Sequence, residues 1–205
     1  MHLRINDVTV SPGRVDELGR VLHDKALPVV INEKGCQGLL CVADRAAGNC
    51  TIVSLWDSRE SLDASEKAVA SIRSETVDAV DAQLNSIGIA EVLSEVRTRP
   101  SQVGNRSRVV RITAPAGSTD KLVDFYNNVA VPRLEAEPGF LNARFTGDVD
   151  NDGRFAAISH WTDAAALKTS ETMSGSLREQ VGNAVSGAAI ERVSTAEIIL
   201  IELTT

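Results

Sequence analysis

The stretch WDSRESLDASE, beginning at Trp56, returns as WTDAAALKTSE at Trp161, 105 residues later. These are the only two tryptophans in the chain. Each is followed at one offset by a leucine (Leu62, Leu167) and by a Ser-Glu pair (Ser65-Glu66, Ser170-Glu171). The match extends backwards at an offset of 104, where Pro28, Glu33 and Gly35 meet Pro132, Glu137 and Gly139. Forwards, Ala90-Glu91-Val92 meets Ala196-Glu197-Ile198 at 106. Self-similarity of this kind constrains a fold strongly, because both copies must solve the same packing problem. A chain of 205 residues has room for two domains of about 100 residues each. We read a first copy over 1–97, a linker over 98–105 and a second copy over 106–205. The join, RTRPSQVGNR, is polar and carries Pro and Gly.

Each copy shows one order of elements. HLRINDVTV and RSRVVRITA read as opening strands. Ser11-Pro12 supplies an N-cap and a first-turn proline for a helix on which Leu18, Val21, Leu22 and Val29 recur at helical spacing. Leu122, Phe125, Tyr126 and Val129 repeat that stripe, and Gly35 and Gly139 end the two helices. Two hairpin-joined strands follow, GLLCVAD to CTIVSLW and LNARFTGDV to RFAAISHW. A second helical region is predicted over about Ser58–Leu84 and Asp163–Ala189, and a closing strand at EVLSEV and EIILIEL. The fold class is therefore α+β, two βαββαβ copies with antiparallel sheets. Two helices cover one face of such a sheet, so the other apolar face is expected to meet its equivalent, sheet against sheet.

This order resembles the dimeric α+β barrel superfamily, with its ferredoxin-like βαββαβ unit, and within it the antibiotic-biosynthesis-monooxygenase type. The resemblance is carried by the element order, by the Pro138-Gly139-Phe140 turn (Lys34-Gly35-Cys36 in the first copy), and by a tryptophan that ends the third strand before a Ser- or Asp-started helix. Single-copy members form homodimers, so the chain looks like that dimer fused into one polypeptide, an intramolecular pseudo-dimer. Quinone-forming monooxygenases of the family carry a tryptophan in the pocket between sheet and helices, which implies substrate-binding roles for Trp56 and Trp161. They use no metal or flavin, because the phenolic substrate itself reduces oxygen; the resemblance therefore implies no cofactor. They also share an asparagine four residues before the tryptophan, where this chain has Ile52 and Ala157. Haem-degrading members share an asparagine, a second tryptophan and a ligating histidine; of the matching positions only Asn6 agrees, so haem degradation is not expected.

The residues add their own candidates. Arg73 and Arg178 each lie seventeen residues after a tryptophan and flank an apolar stripe, from where a guanidinium reaches a phenolate or carboxylate at a pocket mouth. A solvated helix face is the plainer account of both. Tyr126 stands where the first copy has Leu22 and brings a phenol able to hydrogen-bond a ligand. The tryptophans themselves serve equally as core bulk in a chain only 3% aromatic. Cys36, Cys41 and Cys50 fall opposite Phe140, Phe145 and Phe155, which marks them as buried apolar positions. The first copy, with Cys for Phe and Leu for Tyr, is expected to hold the more open pocket.

Other classes drop out. A net charge of −7 without a basic stripe argues against nucleic acid. No apolar run approaches the roughly 18 residues of a membrane span. MHLRINDV lacks the apolar core of a secretory signal, so a cytoplasmic location is expected by default. DVDNDG (148–153) imitates the start of a calcium loop but has Ser159 at the twelfth place, and reads as a hairpin turn. His160 reads as a structural histidine, and no spacing suggests a metal site. The functional expectation is a cofactor-independent monooxygenase of an aromatic or polyketide-like molecule. The alternative is a non-catalytic small-molecule-binding or stress-associated protein of the same fold.

Overall fold

The computed structural model describes residues 1–204. Its strands are β1 (His2–Thr9), β2 (Cys36–Asp44), β3 (Asn49–Trp56), β4 (Gln83–Arg97), β5 (Arg106–Thr113), β6 (Phe140–Asp148), β7 (Arg154–Trp161) and β8 (Ala189–Leu203). Hydrogen-bonded neighbours run β1-β3-β2-β8-β5-β7-β6-β4 and close into a barrel, an α+β fold built from two ferredoxin-like copies. Two compact units make up the chain: Met1–Ala90 with the residues from Ala196 onward, and Glu91–Thr195. The strands β4 and β8 each begin in one unit and end in the other.

In the first unit β3 lies between β1 and β2, with His2 and Cys36 both opposite Trp56. The outer edge of β2 is completed by the end of β8, Leu40 facing Ile201. In the second unit β7 lies between β5 and β6, and Arg106 and Phe140 are both opposite Trp161. The sequence repeat has thus become an identical register, down to a bulge after Cys36 and after Phe140.

The first helix of each unit departs from the expected regular helix. It runs as α1 (Val15–Val21), a π-helical turn Leu22–Ala26, and α2 (Leu27–Val30). The second unit repeats this with α5 (Thr119–Phe125), Tyr126–Ala130 and α6 (Val131–Glu135). The Leu27 and Val131 amides bond the carbonyls of Leu22 and Tyr126, five residues back. Pro28 and Pro132 follow at once; a proline lacks the amide and presses on the carbonyl four residues earlier, and the wider π turn relieves both. Ser11 makes no side-chain cap: Pro12 opens a 3-10 turn instead, and the helix starts only at Val15. Gly35 and Gly139 both sit at φ +83°, where a Cβ on Gly139 would collide with Ala166.

The second helical region is two helices rather than one. Ser58 caps α3 (Arg59–Ala64) by accepting from the Ser61 amide, and Asp163 caps α7 (Ala164–Thr169) by accepting from Ala165 and Ala166. Breaks at Ser65 and Ser170 separate these from α4 (Glu66–Ala79) and α8 (Glu171–Ala184). Both long helices end five residues short of the expected limits. Asp81 turns to φ +51° after α4, and Val185 is extended after α8, so neither helix can continue.

Cys36, Cys41 and Cys50 are buried, like the phenylalanines opposite them in the repeat. Burial pushes all three thiols up, Cys50 to about 11. Asp148–Gly153 forms the hairpin turn, with the Asp148 carboxylate accepting from the Asp150 amide. Among the described residues no helix is long and apolar enough to cross a membrane.

Candidate functional site

The arginine on the first strand of each copy is buried. Arg4 on β1 and Arg108 on β5 are 1% and 2% exposed. Each reaches the break between two helices. Arg4 donates to the Leu62 carbonyl at 2.6 Å and to Ser65 Oγ at 3.1 Å. Arg108 donates to the Leu167 carbonyl at 2.7 Å and to Ser170 Oγ at 2.9 Å. The carbonyls at a helix C-terminus lack amide partners and attract a cation, so the arginine belongs where α3 or α7 stops. Beneath lie the tryptophans, with ring centres 5.5 Å from Arg4 and 5.6 Å from Arg108. Each indole donates to a serine two residues back, Trp56 to Ser54 at 2.9 Å and Trp161 to Ser159 at 3.0 Å. Both tryptophans are fully enclosed.

A second arginine stands on each long helix. Arg73 and Arg4 share one carboxylate, that of Glu66, at 2.6 and 2.9 Å. Arg178 and Arg108 share Glu171 in the same way, Arg108 at 2.9 Å. The units then diverge. Arg73 also donates to Asn6 Oδ1 on β1 at 3.2 Å, which ties the helix to the sheet. Val110 replaces Asn6, and Arg178 instead donates to Ser174 of its own helix at 3.1 Å.

Between sheet and helices each unit holds a cavity, about 40 Å³ in the first and about 70 Å³ in the second. The π turns help line both, through Leu22 and Ala26 and through Tyr126 and Ala130. Arg73 lines the first; Arg178, Arg108 and Tyr126 line the second. Neither tryptophan is among the lining residues; Ser54 and Ser159, which hold the indoles, are. The second cavity is the larger, the reverse of the sequence expectation. Leu39 and Ile52 of the first unit are replaced by Ala143 and Ala157, and this outweighs the gain of Tyr126.

Two residues that line the second cavity each carry a buried polar atom without a hydrogen-bond partner among the described residues, the Tyr126 hydroxyl and Arg108 Nε. Tyr126 stacks on Phe145 at 5.1 Å, and burial raises its hydroxyl well above the usual phenol range, so it is a neutral donor. Burial lowers Arg108, against the raising pull of Glu171. His160 lies on the other side of β7, with Nδ1 2.9 Å from Ser101 Oγ and Nε2 unpartnered. Burial first, then Arg144, lowers its pKa to about 3. Among the described residues no carboxylate or imidazole lines either cavity. The arrangement offers a small apolar cavity, a neutral phenol and two guanidinium groups that can balance an anion.

Sequence reasoning missed Arg4, Arg108, Glu66 and Glu171. The signal was present: Arg4 and Arg108 stand 104 residues apart, in register with the repeat, and the Ser-Glu pairs are part of its clearest stretch.

A family model described as antibiotic biosynthesis monooxygenase matches the chain twice, over residues 1–72 and 106–174. An uncharacterised protein of Mycobacterium tuberculosis strain H37Rv is 24% identical over 157 residues, 77% of this chain and 69% of that protein. Among solved structures, a candidate monooxygenase of Fusobacterium nucleatum has a TM-score of 0.71 at 16% identity, covering 99% of this chain and 94% of its own. An anthrone oxidase-like protein has a TM-score of 0.66 at 14% identity, covering 98% and 93%.

Proposed function

This chain belongs to the antibiotic biosynthesis monooxygenase family, in two tandem copies, and on that premise we propose that its second unit binds and oxidises a small phenolic molecule without metal or flavin. The observation that carries this reading is the buried, unpartnered hydroxyl of Tyr126, a residue that lines an apolar cavity together with Arg108 and Arg178. A buried hydroxyl without a partner costs about 1–3 kcal/mol. A ligand oxygen that accepts from Tyr126 removes that cost. The first unit has Leu22 at that place and offers no such donor.

Size limits the ligand. An apolar cavity of about 150 Å³ holds benzene, so about 70 Å³ admits less than one ring as it stands. The first ring enters only as the helical layer yields, and the π turn Tyr126–Ala130 is the irregular part of that layer. Trp56, Trp161 and Arg73 take supporting roles: the tryptophans seat the buried arginines, and Arg73 closes the smaller cavity.

The chemistry follows from charge. A phenol or enol oxygen near Arg178 gives up its proton more readily, because the guanidinium stabilises the anion. An electron-rich anion can pass electrons to dioxygen. In balance, the phenol C–OH and the ring C–H para to it become two C=O groups, one oxygen atom of dioxygen entering the ring and the other leaving as water with the two hydrogens. A second reading, a non-catalytic binding protein of the same fold, is favoured by one observation: among the described residues no carboxylate or imidazole base lines the cavity. An oxygen electrode separates the two. Dissolved oxygen should fall with hydroxylated one- to three-ring aromatics, without added metal or flavin, and Tyr126→Phe should slow that fall at least tenfold. Binding with no oxygen uptake across the series would leave the non-catalytic reading.

A further inference from the structure

The Glu171 carboxylate lies between two guanidinium groups, and the three environments differ. The Arg108 side chain is 3% exposed and that of Arg178 20%, while that of Glu171 is 54% exposed. Both arginines line the second cavity and Glu171 does not. Arg108 gives Nη1 to Ser170, Nη2 to Leu167 and to one Glu171 oxygen at 2.9 Å, and leaves Nε unused. A guanidinium and a carboxylate fit best through two parallel bonds, and Glu171 makes only one bond to Arg108. The cation is thus buried and neutralised, but not optimally paired.

We infer that Glu171 is an internal competitor, whose carboxylate holds the position between Arg108 and Arg178 that the acid group of an anionic ligand takes on binding. This rests on the second cavity being the ligand site. The energetics favour exchange. Glu171 is half in water already, so releasing it costs little, and the arginines keep an anion throughout. The ring then supplies the net gain by entering the apolar cavity. A neutral ligand cannot replace the carboxylate, and would face buried Arg108 and half-buried Arg178 without a counter-charge if Glu171 left.

The first unit lacks this exchange. Glu66 bridges Arg4 and Arg73 there, but Asn6 holds Arg73 from the sheet, and Arg4 is not among the cavity's lining residues. Val110 in place of Asn6, and Ser174 in place of Val69, leave Arg178 anchored only to its own helix. The acid site therefore belongs to the second unit alone.

Calorimetric titration with benzoate and with its neutral isostere benzamide tests the inference on the full chain. Benzoate should bind at least tenfold more tightly than benzamide. Glu171→Gln should tighten benzoate severalfold and leave benzamide unchanged, while Glu66→Gln should alter neither. Glu171→Asp, whose arm is too short for both arginines but which keeps the charge, should shift benzoate the same way and covers the case in which the glutamine variant does not fold. If Glu171→Gln or Glu171→Asp weakens benzoate or leaves it unchanged, Glu171 is a structural counter-ion and the inference fails. If benzamide matches benzoate in every variant, the cavity stands and acid recognition falls. If neither compound binds, the ligand-site reading falls with it.

Discussion

Arg108 places its guanidinium carbon 5.6 Å from the centre of the Trp161 ring, and Arg4 does the same over Trp56 at 5.5 Å. The tryptophan is thus the floor under a buried cation, and the cation ties the first strand of each unit to the break in its second helical region. Trp56 and Trp161 serve here as the seats of two buried arginines.

Replacing Arg4 with Met should destabilise the chain without touching the ligand site. It removes the donors to the Leu62 carbonyl and Ser65 Oγ. Ser65 Oγ still donates to the Leu62 carbonyl at 2.7 Å, so what is lost is two hydrogen bonds from a charged donor, about 1.5–3 kcal/mol each, and a loss of about 2–4 kcal/mol in urea denaturation is expected. Lys at this position should recover little, because a single ammonium cannot span both acceptors and the carboxylate. Benzoate affinity should stay within twofold.

Tyr126→Phe should do the opposite. The hydroxyl has no partner in the free protein, so its removal should leave stability unchanged or raise it by about 1 kcal/mol. Ligand affinity should fall severalfold in the same variant. A loss of stability comparable to a core deletion would show that the hydroxyl is bonded after all.

The tryptophans should behave as core residues. Trp56→Phe and Trp161→Phe each empty part of a fully enclosed site, at a cost of about 1–3 kcal/mol. Trp161→Phe should also weaken benzoate by shifting Arg108, whereas Trp56→Phe should not. Equal effects of the two on binding would place the ligand elsewhere.

Acid should destabilise the chain through His160. The folded pKa is about 3 and the unfolded one about 6.5, so the unfolded chain binds the extra proton between those values. Stability from this residue is whole above pH 6.5, declines as the pH falls, and is fully lost near pH 3, on the order of 4 kcal/mol in all. His160→Leu, the residue that the first copy has at this place in Leu55, should flatten that limb in denaturation midpoints measured from pH 7 to 4. An unchanged acid limb would mean that His160 is hydrated.

A fragment of residues 1–97 should not remain a monomer. It lacks the end of β8, whose Ile198 to Leu203 segment pairs with β2 from Val42 to Gly38. An unpaired strand edge beside Leu40 and Val42 recruits another chain. Sedimentation velocity should show dimers or larger species; a stable monomer would argue against that pairing.

The sequence by itself determined the two copies, the βαββαβ order and the left-handed glycines at 35 and 139, because repeats, strand and helix periods and backbone conformation are written locally. It also marked the Cys and Phe positions as buried, since only a shared apolar environment tolerates both. Tertiary structure alone decided that Arg4 would meet a carbonyl 58 residues away, that the tryptophans would sit behind the cavity walls, and that the second cavity would be the larger. Each of these depends on side chains brought together from separate strands and helices. A cavity's volume is a small difference between such large neighbours, as with Ala143 and Ala157 against Tyr126, and no local pattern carries that difference.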